Sequence, residues 1–168
     1  MPDSPAQIAV FDVDGVLADV RHRRHFVERK PKNWEGFFAA MDEDGPLSAG
    51  ITMASDLAQS GCSIVYLTGR NESYRALTTQ WLARNGLPTG RLVMRPDHDR
   101  RPARLFKPQA LQRIAQDGSV VTIVDDDLAV VDALRLAGWP VVHATWMTIA
   151  RLAEQQSLFD AQEVEGRS

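Results

Sequence analysis

Four short stretches of this sequence hold acids, a hydroxyl and a lysine where they could do chemistry together. Residues 8–19 read IAVFDVDGVLAD: an apolar run ends in Asp12, with Asp14 and Gly15 just beyond it. Residues 120–127 read VVTIVDDD and end the same way, in Asp125, Asp126 and Asp127. Thr68, Gly69 and Arg70 follow the apolar run SIVYL at 63–67. Lys107 is one of three lysines in a chain with sixteen arginines, near the start of a helical pattern. Carboxylates gathered in one place repel each other unless something positive lies among them. A hard divalent cation answers this, and Mg²⁺ favours a few carboxylates, water and substrate phosphate. A metal, a cation and a hydroxyl around a carboxylate suit phosphoryl transfer by charge neutralisation and positioning. The carboxylate can itself be the nucleophile and form an aspartyl-phosphate.

For these groups to meet, the elements that carry them must end at one edge. Short apolar strands are expected at residues 7–11, 63–67, 91–94, 120–124 and 140–143. Helices are expected at 48–59 with Ser48 as N-cap, and at 73–85, 102–117, 128–137 and 147–155. Gly86, Gly118 and Gly138 close three of these helices. Residues 21–41 are basic, then amphipathic, and read as one or two short helices. Strands that are apolar on both faces and alternate with helices predict an α/β fold: a central parallel sheet covered on each side, three layers in all. Ligands in such folds bind at the carboxyl ends of the strands. Asp12 and Asp14, Thr68 to Arg70, and the acids at 125–127 all directly follow strands.

The bulk numbers fit a single domain. There are 168 residues, 44% hydrophobic and 24% charged. We expect one domain over 1–155, with a small helical insertion at 21–45 and a polar tail at 156–168. No apolar stretch is long enough to span a bilayer, so no membrane partner is expected. Met-Pro-Asp-Ser-Pro has neither a basic nor an apolar signal region. Cys62 is the sole cysteine, so no intrachain disulfide can form, and a cytoplasmic location fits. The net charge of −3 is unevenly spread. Residues 21–32 hold six Lys/Arg against one acid, and residues 91–107 six against two. Brought together, these segments would make a positive surface on an otherwise acidic chain; apart, they are two solvated basic loops.

DVDGVLAD, LTGR, KP and VDDD, in this order and each after the appropriate element, resemble the four motifs of the haloacid dehalogenase (HAD) superfamily of phosphohydrolases. The resemblance spans residues 8–143. It implies a Rossmann-like HAD fold and a Mg²⁺-dependent phosphomonoesterase. Asp12 would be the nucleophile. Asp14 would protonate the leaving oxygen and then activate water, and its backbone carbonyl would bind Mg²⁺. Thr68 would hold phosphoryl oxygens, and Lys107 would steady nucleophile and phosphate. Asp125 and Asp126 would complete the metal set with Asp12 and Asp14. Val16 stands where the family usually has Thr.

The flanks are similar to a narrower group. HR after the first motif, QWLARNGLP, LVMR with the following HDRR, and VDDDLAVVDALRLAGWPVVHATW resemble the 3′-phosphatase domain of polynucleotide kinase-phosphatases and related stand-alone phosphatases. Gly69, Arg70 and Arg23 would then help bind the phosphate. No GxxxxGK[ST] loop occurs in these residues, so 5′-kinase activity would need another chain. Only residues 21–45 leave room for a cap between the first two motifs. A minimal cap or none suits a large substrate such as a nucleic-acid end, and the arginine-rich flanks suit its backbone. Gln155, Ser157, Leu158 and Phe159 resemble the short peptide by which bacterial DNA-processing proteins dock on the sliding clamp; Leu158 and Phe159 alternatively pack the last helix.

Three other readings compete. A nucleotidase or other small-molecule phosphatase shares the chemistry. A catalytically silent nucleic-acid-binding module shares the surface. A phospho-acceptor receiver domain also clusters Asp, Thr and Lys on a parallel sheet, but carries its acceptor on a middle strand, unlike Asp12 and Asp14 here. His22 and His25 lack a third ligand nearby and read as surface or phosphate contacts. Trp34, Phe37 and Phe38 read as packing within the insertion, with base stacking as the alternative.

Overall fold

The structure, a computed structural model, describes residues 4–148. Five parallel strands form the sheet: β1 (Gln7–Phe11), β4 (Ser63–Asn71), β5 (Gly90–Arg95), β6 (Ser119–Asp125) and β7 (Val141–His143), in the order β5-β4-β1-β6-β7. A two-residue antiparallel ribbon, β2 (Ala18–Asp19) with β3 (Gly45–Pro46), lies outside it. The helices are α1 (His25–Glu28), α2 (Trp34–Ala39), α3 (Ser48–Gln59), α4 (Arg75–Arg84), α5 (Ala103–Ile114) and α6 (Leu128–Leu136). Among the described residues no helix is long and apolar enough to cross a membrane.

The three layers follow from strands that are apolar on both faces. On β1, Ala9 and Phe11 pack with Ile64 and Tyr66 of β4 against Ala54 of α3 and Trp81 of α4. The alternate residues Ile8 and Val10, with Val65 and Leu67, pack against Phe106 and Leu111 of α5 and Val130 and Leu134 of α6. The period of two therefore feeds two separate cores. Strand order reverses between β1 and β6, which opens a crevice at their carboxyl ends.

Some local expectations need correction. Ser48 begins α3 but does not cap it; Leu47 occupies the cap position and no side chain bonds the helix end. β4 runs on to Asn71, with a shift in its pairing to β5 between Leu67 and Asn71. Thr68, Gly69 and Arg70 thus lie within the strand, held by an irregular edge, and not in a following loop. The expected helix from 73 is preceded by a 3₁₀ turn at Glu72–Tyr74. The ribbon pairs Asp19 with Gly45, so the chain leaves and returns at one point around the insertion. Most of the last expected helix, 147–155, and Gln155, Ser157, Leu158 and Phe159 lie outside the described residues.

Candidate active site

β1 delivers Asp12 to the sheet edge, where its amide donates to Val124 O of β6 at 2.9 Å. The chain then turns sharply. Gly15 N donates to Ala18 O at 2.9 Å, and Leu17 and Ala18 both donate to Val13 O. Gly15 has φ +78°, and a Cβ there would stand 2.0 Å from Asp126 Oδ2. Only glycine permits both the backbone angle and the approach of Asp126. Val16 is wholly buried and its carbonyl accepts from Trp146 Nε1 at 2.9 Å. An apolar side chain therefore suits that position.

The acids divide into two sets. Asp12, Asp125 and Asp126 each present an oxygen, all within 4.8 Å of one another. Lys107, buried on the second turn of α5, reaches Asp12 Oδ1 at 3.2 Å and Asp125 Oδ2 at 2.5 Å. Asp125 Oδ1 accepts from Asp127 N at 3.0 Å. Asp127 in turn caps α6 by accepting from Ala129 N. His143 bonds the Asp126 carbonyl oxygen at 3.2 Å from the end of β7. Burial pushes Asp12 well above its ordinary value; Lys107 opposes the rise, while Asp125, Asp126 and Asp14 add to it. Burial and then Asp125 push Asp126 up to about 6. Burial opposes the charge of Lys107, but Asp12 and Asp125 outweigh it and raise its value. One ammonium among three carboxylates leaves excess negative charge, and three oxygens so close fit a hard divalent cation.

Asp14 belongs to the other set. Arg70 donates to Asp14 Oδ1 from Nε at 3.0 Å and Nη2 at 2.6 Å, and Arg23 Nη2 donates to the same oxygen at 2.9 Å. Burial works against the Asp14 charge, but Arg70 and Arg23 prevail and hold it below its ordinary value. Behind them lies Asp44, a residue the sequence did not single out. Arg23 Nε and Nη2 grip Asp44 as a fork, both at 2.7 Å, and Arg70 Nη2 adds a bond at 3.1 Å. His22, exposed at the surface as expected, places Nε2 2.7 Å from Asp44 Oδ1. Trp81 Nε1 donates to the Asp44 carbonyl oxygen at 2.8 Å. Arg70 also donates to Thr78 at 3.2 Å.

These contacts sort the expected phosphate-binding residues. A cavity of about 550 Å³ opens over the site, with Asp12, Asp14, Gly69, Arg70, Lys107 and Asp126 on its wall. Arg23 is fully buried and stands one layer behind that wall. Asp44 holds its guanidinium inward, where it also grips Asp14. Thr68 is buried, and its hydroxyl accepts from Arg70 N at 3.1 Å, which leaves the hydroxyl proton to donate. α1 and α2 of the insertion add Val27, Trp34, Phe37 and Phe38 to the cavity wall, and α5 adds Ala103 and Lys107.

The sequence profile described as the polynucleotide kinase PNKP phosphatase domain, of HAD type, matches residues 6–145. The chain belongs to that family. It is accordingly a HAD-type phosphatase domain, a phosphoric monoester hydrolase. Among solved structures it is similar to a chain of the Pnkp1/Rnl/Hen1 RNA repair complex, with TM-score 0.68, 25% identity, and coverage of 85% of this chain and 43% of that one. This PNKP-type phosphatase chain thus spans less than half of that relative's length. The class C acid phosphatase from Bacillus anthracis with tungstate bound is 18% identical at TM-score 0.60, over 74% of this chain and 54% of that one. The D,D-heptose bisphosphate phosphatase from B. bronchiseptica, complexed with magnesium and phosphate, is 20% identical at TM-score 0.51, over 87% and 86%. Both show the shared fold. No curated protein matches the sequence.

Proposed function

We propose that this chain is a Mg²⁺-dependent phosphatase that removes 3′-phosphates from polynucleotide ends through an aspartyl-phosphate on Asp12. The observation that carries the reading is the pairing of two differently held carboxylates at one cavity: Asp12 beside Lys107, and Asp14 between two arginines. In the first half-reaction an Asp12 oxygen attacks phosphorus, and the bond from phosphorus to the ester oxygen breaks. That oxygen takes a proton from Asp14. In the second, water attacks the phosphoryl group and gives its proton to Asp14, and the bond to Asp12 breaks. Arg70 and Arg23 keep Asp14 ionised at rest, ready for the second step. A phosphate that draws Arg70 towards itself loosens that hold, so that Asp14 takes up a proton from water, gives it to the leaving oxygen in the first step and regains one from the attacking water in the second. Lys107 favours the ionised form of Asp12, and Thr68 and the Gly69–Arg70 edge orient phosphoryl oxygens.

Asp12, Asp125 and Asp126, with the main-chain carbonyl of Asp14, would hold the metal. When bound it supplies the positive charge that this acid cluster lacks. Arg23 and Asp44 position Arg70 and Asp14 and do not touch substrate.

The substrate class rests on the family and on the light cover that α1 and α2 give the cavity. We take residues 1–155 as one domain acting in nucleic-acid repair in the cytoplasm, with the insertion at 21–45 and a tail at 156–168. Clamp docking through residues 155–159 rests on the peptide pattern alone. The test is phosphate release from 3′- and 5′-phosphorylated DNA and RNA strands and from 3′-mononucleotides, with and without Mg²⁺. Metal-dependent release fastest from 3′-phosphorylated strands is expected. A 3′-mononucleotide hydrolysed equally well would favour the small-molecule reading, and no turnover at all would favour a silent binding module.

A further inference from the structure

Three cavities adjoin along one side of the site. The reaction cavity shares Trp34, Phe38, Gly69 and Ala103 with a second of about 700 Å³, which continues to Arg95, Arg100 and Arg101. A third, of about 490 Å³, shares Asp99 and Arg101 with the second and extends to Arg113. Arg95 packs over Phe106 at 5.0 Å and donates to the carbonyl oxygens of Gly69, at 3.1 Å, and Arg101. Neither hydrogen-bond partner is an acid, although Asp99 acts on Arg95 from nearby and Asp97 and Asp99 also line the second cavity. Arg100 and Arg113 have no acidic partner among the described residues. Asp126 and Asp127 also line the reaction cavity. A polyanion is attracted towards the arginines without acidic partners and repelled by these two acids.

Trp34 stands where the first two cavities meet, with 51% of its surface exposed. It is not a loose side chain. Phe38 stacks against it at 6.1 Å and 26°, and Tyr74 stacks behind Phe38 at 5.2 Å and 28°. Phe37 meets its edge at 5.8 Å. Lys32 Nζ lies over the Trp34 ring, 5.7 Å from its centroid, and adds a further cation at this point. Packing explains the backing rings, but not the half-exposed indole at the junction of two charged cavities. A backed aromatic face beside a phosphate site is a base-stacking platform, tolerant of sequence because every base has a π-face.

We infer that these cavities form a single-strand track: the base of the 3′-terminal nucleotide stacks on Trp34, and the upstream phosphodiesters pass over Arg95, Arg100, Arg101 and Arg113. The inference rests on the polynucleotide reading above and adds which strand contacts set it. The track makes turnover depend on strand length and salt, and assigns base and backbone to different residues.

The test measures kcat/KM on 3′-phosphorylated single strands of increasing length, on the 3′-mononucleotide and on ribose 3-phosphate, across a salt series. It compares the wild type with Arg100→Ala/Arg113→Ala, Trp34→Ala and Trp34→Phe, all on the surface and each checked by thermal melting. In the wild type the ratio of strand to mononucleotide rises with length. The double arginine variant flattens that ratio and lowers the salt slope by roughly 0.7 per arginine lost. Trp34→Ala lowers the ratio of mononucleotide to ribose 3-phosphate about tenfold, and Trp34→Phe restores most of it. A wild-type length dependence kept intact by the arginine variant, or a base preference kept by Trp34→Ala, overturns the track while the polynucleotide reading stands. A wild type with no preference for strands overturns both.

Discussion

Residues 21–32 and 91–107 carry equal numbers of basic residues and hold them differently. In the first segment half of them are held by acids, while Arg29, Lys30 and Lys32 are exposed. Arg21 forks onto Asp19, Arg23 lies buried between Asp44 and Asp14, and Arg24 meets Glu28 at 4.0 Å. In the second the charge is left outward, Lys107 excepted. Arg91 pairs with exposed Asp117 and Arg101 with half-buried Asp99, while Arg95, Arg100 and Arg104 have no acidic partner among the described residues. The difference lies in acids supplied from elsewhere. Asp44 arrives from twenty-one residues beyond Arg23 and neutralises it in the interior; in the second segment Asp12 and Asp125 do this for Lys107 alone, and Asp117 meets Arg91 only at the surface. Basic density along a chain therefore does not identify a substrate surface until its partners are placed.

The largest effect that could break this contrast is expected at Asp44. Asp44→Ala leaves Arg23 and Arg70 buried with Asp14 as their remaining acid, and should cost about 3–5 kcal/mol in urea unfolding. A cost near zero would mean that the inner charges are solvated after all. A smaller effect separates the two sets of carboxylates by pH. The folded-state value of Asp14 is lowered, so stability from its ion pairs is present above 3.8 and is lost only as pH falls through that lower folded value. Asp126 is raised to about 6, and metal binding requires its ionised form. Mg²⁺ affinity should therefore fall about tenfold per pH unit below about 6, while unfolding free energy from the Asp14 pairs holds. Isothermal titration and urea melts at pH 7 and pH 5 check this, and parallel losses in both would erase the distinction. The smallest effect is expected outside. Arg91 and Asp117 pair at 2.6 Å but are each about half exposed, so Arg91→Ala should change stability by less than about 1 kcal/mol. A loss matching that of Asp44→Ala would give the second segment a structural role like that of the first.

Much of the fold was legible because its signals are local. Apolar runs of five residues, glycines after helices and acids at strand ends each declare themselves within a short window. The acids and Lys107 could be grouped because the parallel-sheet rule sends strand ends to one edge. Asp44 could not be found this way. It sits in MDEDG, a stretch that reads as a solvated turn, and its value comes from Arg23, Arg70 and Trp81, brought from three other elements. The same long-range contacts hold Arg23 behind Asp14, a placement that no local pattern declares. Thr68 to Arg70 were expected after a strand and lie inside it, because pairing with β5 resumes at Asn71 beyond an irregular step.

The central claim is that Asp12 attacks phosphorus and Asp14 handles the proton. The most direct measurement is rapid acid quench of the enzyme during turnover of a 3′-phosphorylated oligonucleotide, followed by mass spectrometry of the peptide holding residues 8–19. Phosphate is expected on Asp12 in the wild type, accumulating when Asp14→Asn slows hydrolysis of the intermediate, and absent in Asp12→Asn. Phosphate on another residue, or full turnover by Asp12→Asn, would contradict the claim.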